Sequence, residues 1–271
     1  MSHSGSRKKP KGYQHYIPRF ILRRFLSPTD FDVYYKKQDK WVVRGASNSM
    51  GKDLFYEHGS SEPNEIEDLL ATREGKFGLV INKILDGKTL SQNEFSLLIE
   101  FRHLAYYRSN EFRGFHTFKK SRGISSWEQR SDWRMLNGIY AFDNPNDFES
   151  AIKKSQLTAI KSVIDHSDVI FKLSMMAPVC FVFTSKSKKF MIGDSGSISF
   201  GGELDGITII VISPSKALAF PKSLLAMEIL ANNGLNSGQG LLIHKDIGDD
   251  LVAIINSVVK DHSYEYYIQA R

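Results

Sequence analysis

The segment Gln14-His15-Tyr16-Ile17-Pro18-Arg19-Phe20-Ile21-Leu22-Arg23-Arg24-Phe25 gathers the side chains best suited to chemistry. His15 stands just ahead of Pro18, and proline favours the first position of a helix. Arg19 and Arg23 then lie four residues apart on one helix face, turned away from Ile21, Leu22 and Phe25. Free N–H groups at a helix start favour anions. A neutral histidine beside them can act as a general base. An arginine can hold a phosphate or carboxylate through two parallel hydrogen bonds. The same residues also suit a structural role, with His15 and Arg19 bonded to acidic helices nearby.

Other chemistry-like strings carry less. Gly193-Asp194-Ser195-Gly196 matches the nucleophile loop of chymotrypsin-like proteases, but those need an upstream histidine and aspartate in an all-β fold, and this chain is too helical. It is not a Gly-x-Ser-x-Gly elbow either, because Gly196 follows Ser195 directly. No P-loop, dinucleotide fingerprint or His-Glu-x-x-His is present. Gly201-Gly202 and Gly238-x-Gly240 read as turns. Arg102-His103 lacks the spacing of ribonuclease Arg/His pairs. The single cysteine, Cys180, excludes an intramolecular disulfide and a cysteine metal cage. It sits in an apolar run and reads as a buried residue rather than a nucleophile. A reducing cytoplasm suits it.

The net charge of +6 is unevenly spread. Residues 1–30 hold seven bases (Arg7, Lys8, Lys9, Lys11, Arg19, Arg23, Arg24) against Asp30. Residues 101–134 hold eight (Arg102, Arg108, Arg113, Lys119, Lys120, Arg122, Arg130, Arg134) against Glu111, Glu128 and Asp132. The remainder is net acidic. If the two basic segments meet in space, they concentrate polyanions. The plainer alternative is a basic tail plus a solvated helix face. Arg23, Arg24, Arg113, Lys119, Lys120 and Arg122 are the candidate phosphate contacts. The aromatics Tyr106, Tyr107, Phe112, Phe115 and Phe118 lie beside the second segment and favour nucleic acid as the partner, although such spacing also suits a core.

The elements that must position these groups can be read from periodicity. Residues 1–12 are polar and basic and form a disordered tail. A short helix is predicted over 18–26. Phe31–Tyr35 and Lys40–Arg44 form a hairpin, with another extended piece near Leu54–Tyr56. Asn64–Leu85 has helical spacing, closed by Asp86-Gly87. Ser91 and Glu94 form a capping box that opens a helix to about Arg108. Residues 119–146 read as loop, and about Asn146–His166 as helix. Val169–Ser174 fits helix or strand. Val179–Phe183, Phe190–Ile192 and Ile207–Ile212 read as strands, Ser223–Asn233 and Asp249–Asp261 as helices. The order lacks regular βαβ alternation. The prediction is therefore one α+β domain over residues 13–271, a helical middle region packed with hairpin-linked, mainly antiparallel strands. No apolar run reaches the roughly 18–20 residues of a membrane span. No apolar leader opens the chain, so a cytoplasmic protein with no membrane partner is expected.

The Gln14–Phe25 block resembles the opening of a bacterial family known as domain of unknown function forty-two thirty-eight, a Gln/His-His-Tyr-x-Pro-Arg-x-x-Leu-x-x-Phe pattern. The likeness extends through Ile66-Glu67 with Glu74, through Leu97–Arg108, through Phe190 and Asp194, and through Ile212-Ser213-Pro214. Asp194 lacks the Ser-Asp and Pro-Val parts of the family strand end. The resemblance implies a polar site of His15, Arg19, Glu74, Arg108 and Asp194. Charges from separate elements are costly to bury together unless they pair or bind something, so a structural ion-pair network is the alternative.

Two functions are open on this basis. One is a nucleic-acid- or nucleotide-directed phosphodiester hydrolase, a nuclease of the toxin or phage-defence kind. His15 would be the acid–base group, and Arg19 and Arg108 would stabilise the pentavalent phosphate. Glu74 and Asp194 would either orient His15 or hold a divalent metal such as Mg²⁺. The other is a non-enzymatic sensor or adaptor that binds RNA, DNA or a partner protein.

Overall fold

The computed structural model describes residues 12–57, 62–109, 112, 145–166, 179–200, 206–221, 229 and 240–271. The expected tail, the 119–146 loop, Val169–Ser174 and the Ser223–Asn233 helix lie wholly or mostly outside them. So do Arg113, Lys119, Lys120 and Arg122.

The chain is α+β. Strand β1 (Tyr13–His15) leads into the short helix α1 (Arg19–Leu22), which tightens into a 3₁₀ turn at Arg23–Phe25. Pro18 is the N-cap of this helix, with extended backbone, one step before its predicted place. Strands β2 (Phe31–Tyr35) and β3 (Lys40–Arg44) form the predicted hairpin. Strand β4 (Gly51–Asp53) comes next. The extended piece predicted at Leu54–Tyr56 is instead a turn, with Leu54 at positive φ.

Helix α2 (Glu65–Leu85) buries Ile66, Leu70, Phe77, Val80, Ile81 and Ile84, the stripe its spacing foretold. Glu65, Glu67 and Asp68 occupy its first turn, where the helix dipole favours acids. Helix α3 (Gln92–Tyr107) opens with the Ser91/Glu94 capping box. Lys83 from the end of α2 reaches Glu94 at 2.5 Å, and with Ser91 it lowers that carboxyl to about 2. Helix α4 (Pro145–Asp165) packs on both α2 and α3.

Strands β5 (Val179–Thr184), β6 (Met191–Gly193), β7 (Ile198–Phe200), β8 (Ile207–Ser213), β9 (Lys216–Pro221) and β10 (Leu241–Asp246) follow. Helix α5 (Asp249–His262) and strand β11 (Tyr266–Gln269) complete the described chain. One sheet runs β10-β5-β9-β8-β7; its β10–β5 pair is parallel and the rest antiparallel. A second, antiparallel sheet runs β3-β2-β11-β6. The third is the β1–β4 pair. Residues from the two larger sheets and the helices share one apolar core, including Ile17, Phe25, Phe77, Phe101, Ile212 and Ile268. Cys180 is buried in it, and burial pushes its thiol up, which removes the nucleophile option at ordinary pH. No helix among the described residues is long and apolar enough to cross a membrane.

Candidate functional site

The site begins with the pairing of β1 and β4, which sets His15 opposite Gly51. A side chain at position 51 would run into the Gln14 carbonyl and the Tyr13 ring, so glycine allows the two backbones to meet. Just before it, Met50 holds a left-handed backbone (φ 53°), and its carbonyl accepts from Tyr16 N at 3.0 Å and Ile17 N at 3.3 Å. Gln14 is fully buried. Its amide donates to Glu57 Oε1 at 2.7 Å, and its Oε1 accepts from Tyr56 N at 2.6 Å. The segment around His15 is thus fixed from both sides.

His15 Nε2 lies 3.1 Å from the Ala46 carbonyl. A carbonyl only accepts, so Nε2 carries the proton and Nδ1 is the basic nitrogen of the neutral ring. The ring also meets Tyr13 edge-on at 5.1 Å. Burial lowers the His15 pKa; the Ala46 carbonyl works against this, Arg19 and Arg108 add to it, and Glu74 opposes it. The imidazole is therefore neutral at pH 7.

Arg108 caps the C-terminus of α3 and is almost completely buried. Its Nη2 donates to the His15 carbonyl at 2.7 Å, and its Nη1 lies 2.7 Å from Glu74 Oε1 on α2. The Tyr56 hydroxyl reaches both the His15 carbonyl (3.3 Å) and the Arg108 carbonyl (3.2 Å). Burial disfavours the guanidinium charge, yet Tyr56 and Glu74 outweigh burial and hold Arg108 above its ordinary range. Gln156 on α4 donates to the carbonyls of Tyr107 (2.8 Å) and Ser109 (3.1 Å), satisfying the frayed end of α3.

The structure thus brings His15, Glu74 and Arg108 together, and Arg19 acts on His15 from an exposed position at the start of α1. Arg23 is exposed. Arg24 turns back onto the Phe20 carbonyl, bonds Asn82 Oδ1 at 2.5 Å and sits 5.5 Å over the Phe20 ring. Arg108 of the second basic segment donates to the His15 carbonyl of the first, and most of the other bases of both segments lie outside the described residues.

Asp194 takes another direction. It is fully buried, and its carboxylate accepts from Tyr264 N (2.7 Å) and Glu265 N (2.8 Å). It lies near the hydrogen-bonded Tyr16–Tyr266 hydroxyl pair and does not figure among the charges that act on His15. The neighbouring Ser195 is 1% exposed, and Gly196 follows with φ +72° against the Ala105 carbonyl. This is a packed turn rather than an open nucleophile loop. Two small apolar pockets flank it, and neither is lined by His15, Glu74 or Arg108.

Sequence reasoning missed Tyr56, the Ala46 carbonyl, Glu57 and Tyr266. Gln14 and Tyr16 stood in the motif, and their place beside His15 was the available signal. Among the described residues no group of three or more His, Cys, Asp or Glu side chains converges to hold a metal ion.

Fold and site together define an α+β protein with a neutral histidine whose backbone carbonyl is held by a buried arginine, itself paired with a partly exposed glutamate. Residues 13–271 match the family described as Protein of unknown function (DUF4238), and the chain belongs to that family. No match is found among curated proteins or solved structures.

Proposed function

We propose that the chain is a nucleic-acid- or nucleotide-directed phosphodiester hydrolase, with His15 as the general base. The observation that carries this reading is the pinning of Nε2 by Ala46, which makes Nδ1 the basic nitrogen of a ring that burial keeps neutral. In the step inferred, Nδ1 takes the proton of a water or ribose hydroxyl whose oxygen attacks phosphorus. The bond to the leaving oxygen then breaks and that oxygen takes a proton from water; attack by a ribose hydroxyl leaves a cyclic phosphate that water then opens. In this reading Arg19, exposed at the start of α1, holds the non-bridging oxygens. Arg108 and Glu74 position the His15 backbone from beneath. Asp194 fixes the Tyr264–Glu265 turn. Such an activity would suit a toxin or phage-defence effector.

The test is purified protein and its His15→Ala variant on labelled RNA, single-stranded DNA and duplex DNA, with Mg²⁺, Mn²⁺ or chelator. Loss of a general base predicts a rate about 10²–10⁴-fold lower in the variant. Cleavage by His15→Ala at the wild-type rate sinks the assignment, and the chelator arm decides whether a metal takes part.

A second reading, a non-enzymatic nucleic-acid or protein sensor, is favoured by one feature. Arg108 and Asp194 are both bonded to backbone groups, as framework residues are. It predicts salt-sensitive binding with no product.

A further inference from the structure

The outward face of the β2–β3 hairpin carries an aromatic cluster outside the His15 site, in which Tyr267 and Tyr34 reach the edge of the core and Trp41 projects beyond it. Register sets Tyr34 opposite both Trp41 and Tyr267, so the three side chains share that face. The Trp41 and Tyr34 ring centroids are 5.2 Å apart, those of Tyr34 and Tyr267 5.0 Å, and those of Trp41 and Tyr267 5.6 Å. Helix α5 covers the β6 and β11 side of the sheet; Asn256 bonds Met191 N and the Lys189 carbonyl there. Among the described residues no helix covers the hairpin side. Trp41 is 47% exposed and Val43, two residues along on the same face, 45%.

The surroundings are basic. Lys37, Lys40 and Arg44 are exposed, and none is drawn into an ion pair among the described residues. Lys260 sits 5.8 Å over the Tyr267 ring. The hairpin's own acids are engaged: Asp39 accepts from the Tyr34 hydroxyl, and Arg271 holds Asp32 at 2.8 Å and Asp30 at 3.2 Å. An apolar partner surface would strand these cations in a dry contact. A polyanion would not.

We infer that this face is a stacking platform for single-stranded nucleic acid. An unpaired base stacks on Trp41, and Lys37, Lys40, Arg44 and Lys260 take the flanking phosphates. Tyr34 and Tyr267 already hold the indole in place, so little side-chain freedom is lost on binding. Every base has a π-face, so recognition tolerates sequence but excludes duplexes, whose bases are stacked internally. The platform does not depend on chemistry at His15.

The test uses the full chain carrying His15→Ala, so that the probe survives whether or not the wild type cleaves. Fluorescein-labelled single-stranded RNA, single-stranded DNA and the matching duplex are titrated by anisotropy over a range of salt. Single strands should bind more tightly than the duplex. Trp41→Ala should weaken single-strand binding about 5- to 150-fold, the worth of one stacked base. Trp41→Phe should keep most of the affinity and Trp41→Leu should lose it. Lys40→Gln should lower the salt slope by about one. Equal binding of duplex and single strand overturns the platform, and so does equal affinity of the Phe and Leu variants. Thermal melts confirm that each variant is folded.

Discussion

Two of the ion pairs that join α2 to α3 have opposite polarity. Glu74 on α2 meets Arg108 on α3, and Arg73 on α2 meets Glu100 on α3 at 3.2 Å. In each pair the α3 member is the buried one: Arg108 is 3% exposed and Glu100 4%, against 22% for both α2 partners. The outcomes differ. Arg108 has a carboxylate, the His15 carbonyl and Tyr56 around it, and its charge is held firmly. Glu100 Oε1 receives no hydrogen bond despite the short ion-pair distance, because the Arg73 N–H is poorly aligned with it. Arg73 also donates, through Nη2, to the Ile164 carbonyl at 3.1 Å. Burial therefore pushes the Glu100 carboxyl up, with Arg73 and Lys76 only partly opposing. Arg108 Nε is also buried without a hydrogen bond, so what separates the pairs is that the partners of Arg108 outweigh its desolvation and those of Glu100 do not.

The comparison breaks most visibly at Arg108. Arg108→Met leaves Glu74 without its buried cation and the His15 carbonyl with only the longer Tyr56 hydroxyl contact. It should cost about 3–5 kcal/mol, read as a lower urea midpoint. A midpoint equal to wild type would show that the pair contributes nothing to stability.

An intermediate effect is expected from His103, which lies on α3 between the two pairs. Burial, with Arg102 beside it, lowers its pKa to about 4. Unfolded, it protonates near 6.5; folded, it resists until about 4. The unfolded chain then binds the extra proton, so this part of the stability is lost as pH falls from about 6.5 towards 4. Between pH 7 and pH 5 the wild type should lose about 1–2 kcal/mol more than His103→Gln. Parallel pH profiles from urea unfolding would refute this.

The smallest effect belongs to Glu100→Gln, expected within about 1 kcal/mol of wild type at pH 7, since the carboxylate there is poorly satisfied. Its folded pKa lies above the ordinary 4.5, so wild-type stability from this group rises as pH falls through that window. The advantage of the glutamine variant should therefore shrink between pH 7 and pH 4.5. A loss of several kcal/mol at neutral pH would instead place Glu100 beside Arg108 as a firmly held charge.

What the sequence determined was local. The stripe of α2, the capping box of α3 and the β2–β3 hairpin each follow from residues within a few turns or one loop of each other. The family block pointed to His15, and the arginine at the end of α3 was visible as a helix terminus. The parallel β10–β5 pair left no local signal because its strands are distant in the chain, whereas β7 and β9 pair with the neighbouring β8 and are too short or too evenly apolar to show a period of two. The site was decided by tertiary structure. Ala46, 31 residues from His15, fixes which ring nitrogen carries the proton. Arg108, 93 residues away, binds the His15 carbonyl. Tyr266, 250 residues away, closes on Tyr16. A motif names the side chains, but proton placement, charge compensation and burial depend on atoms that only folding brings within hydrogen-bond distance.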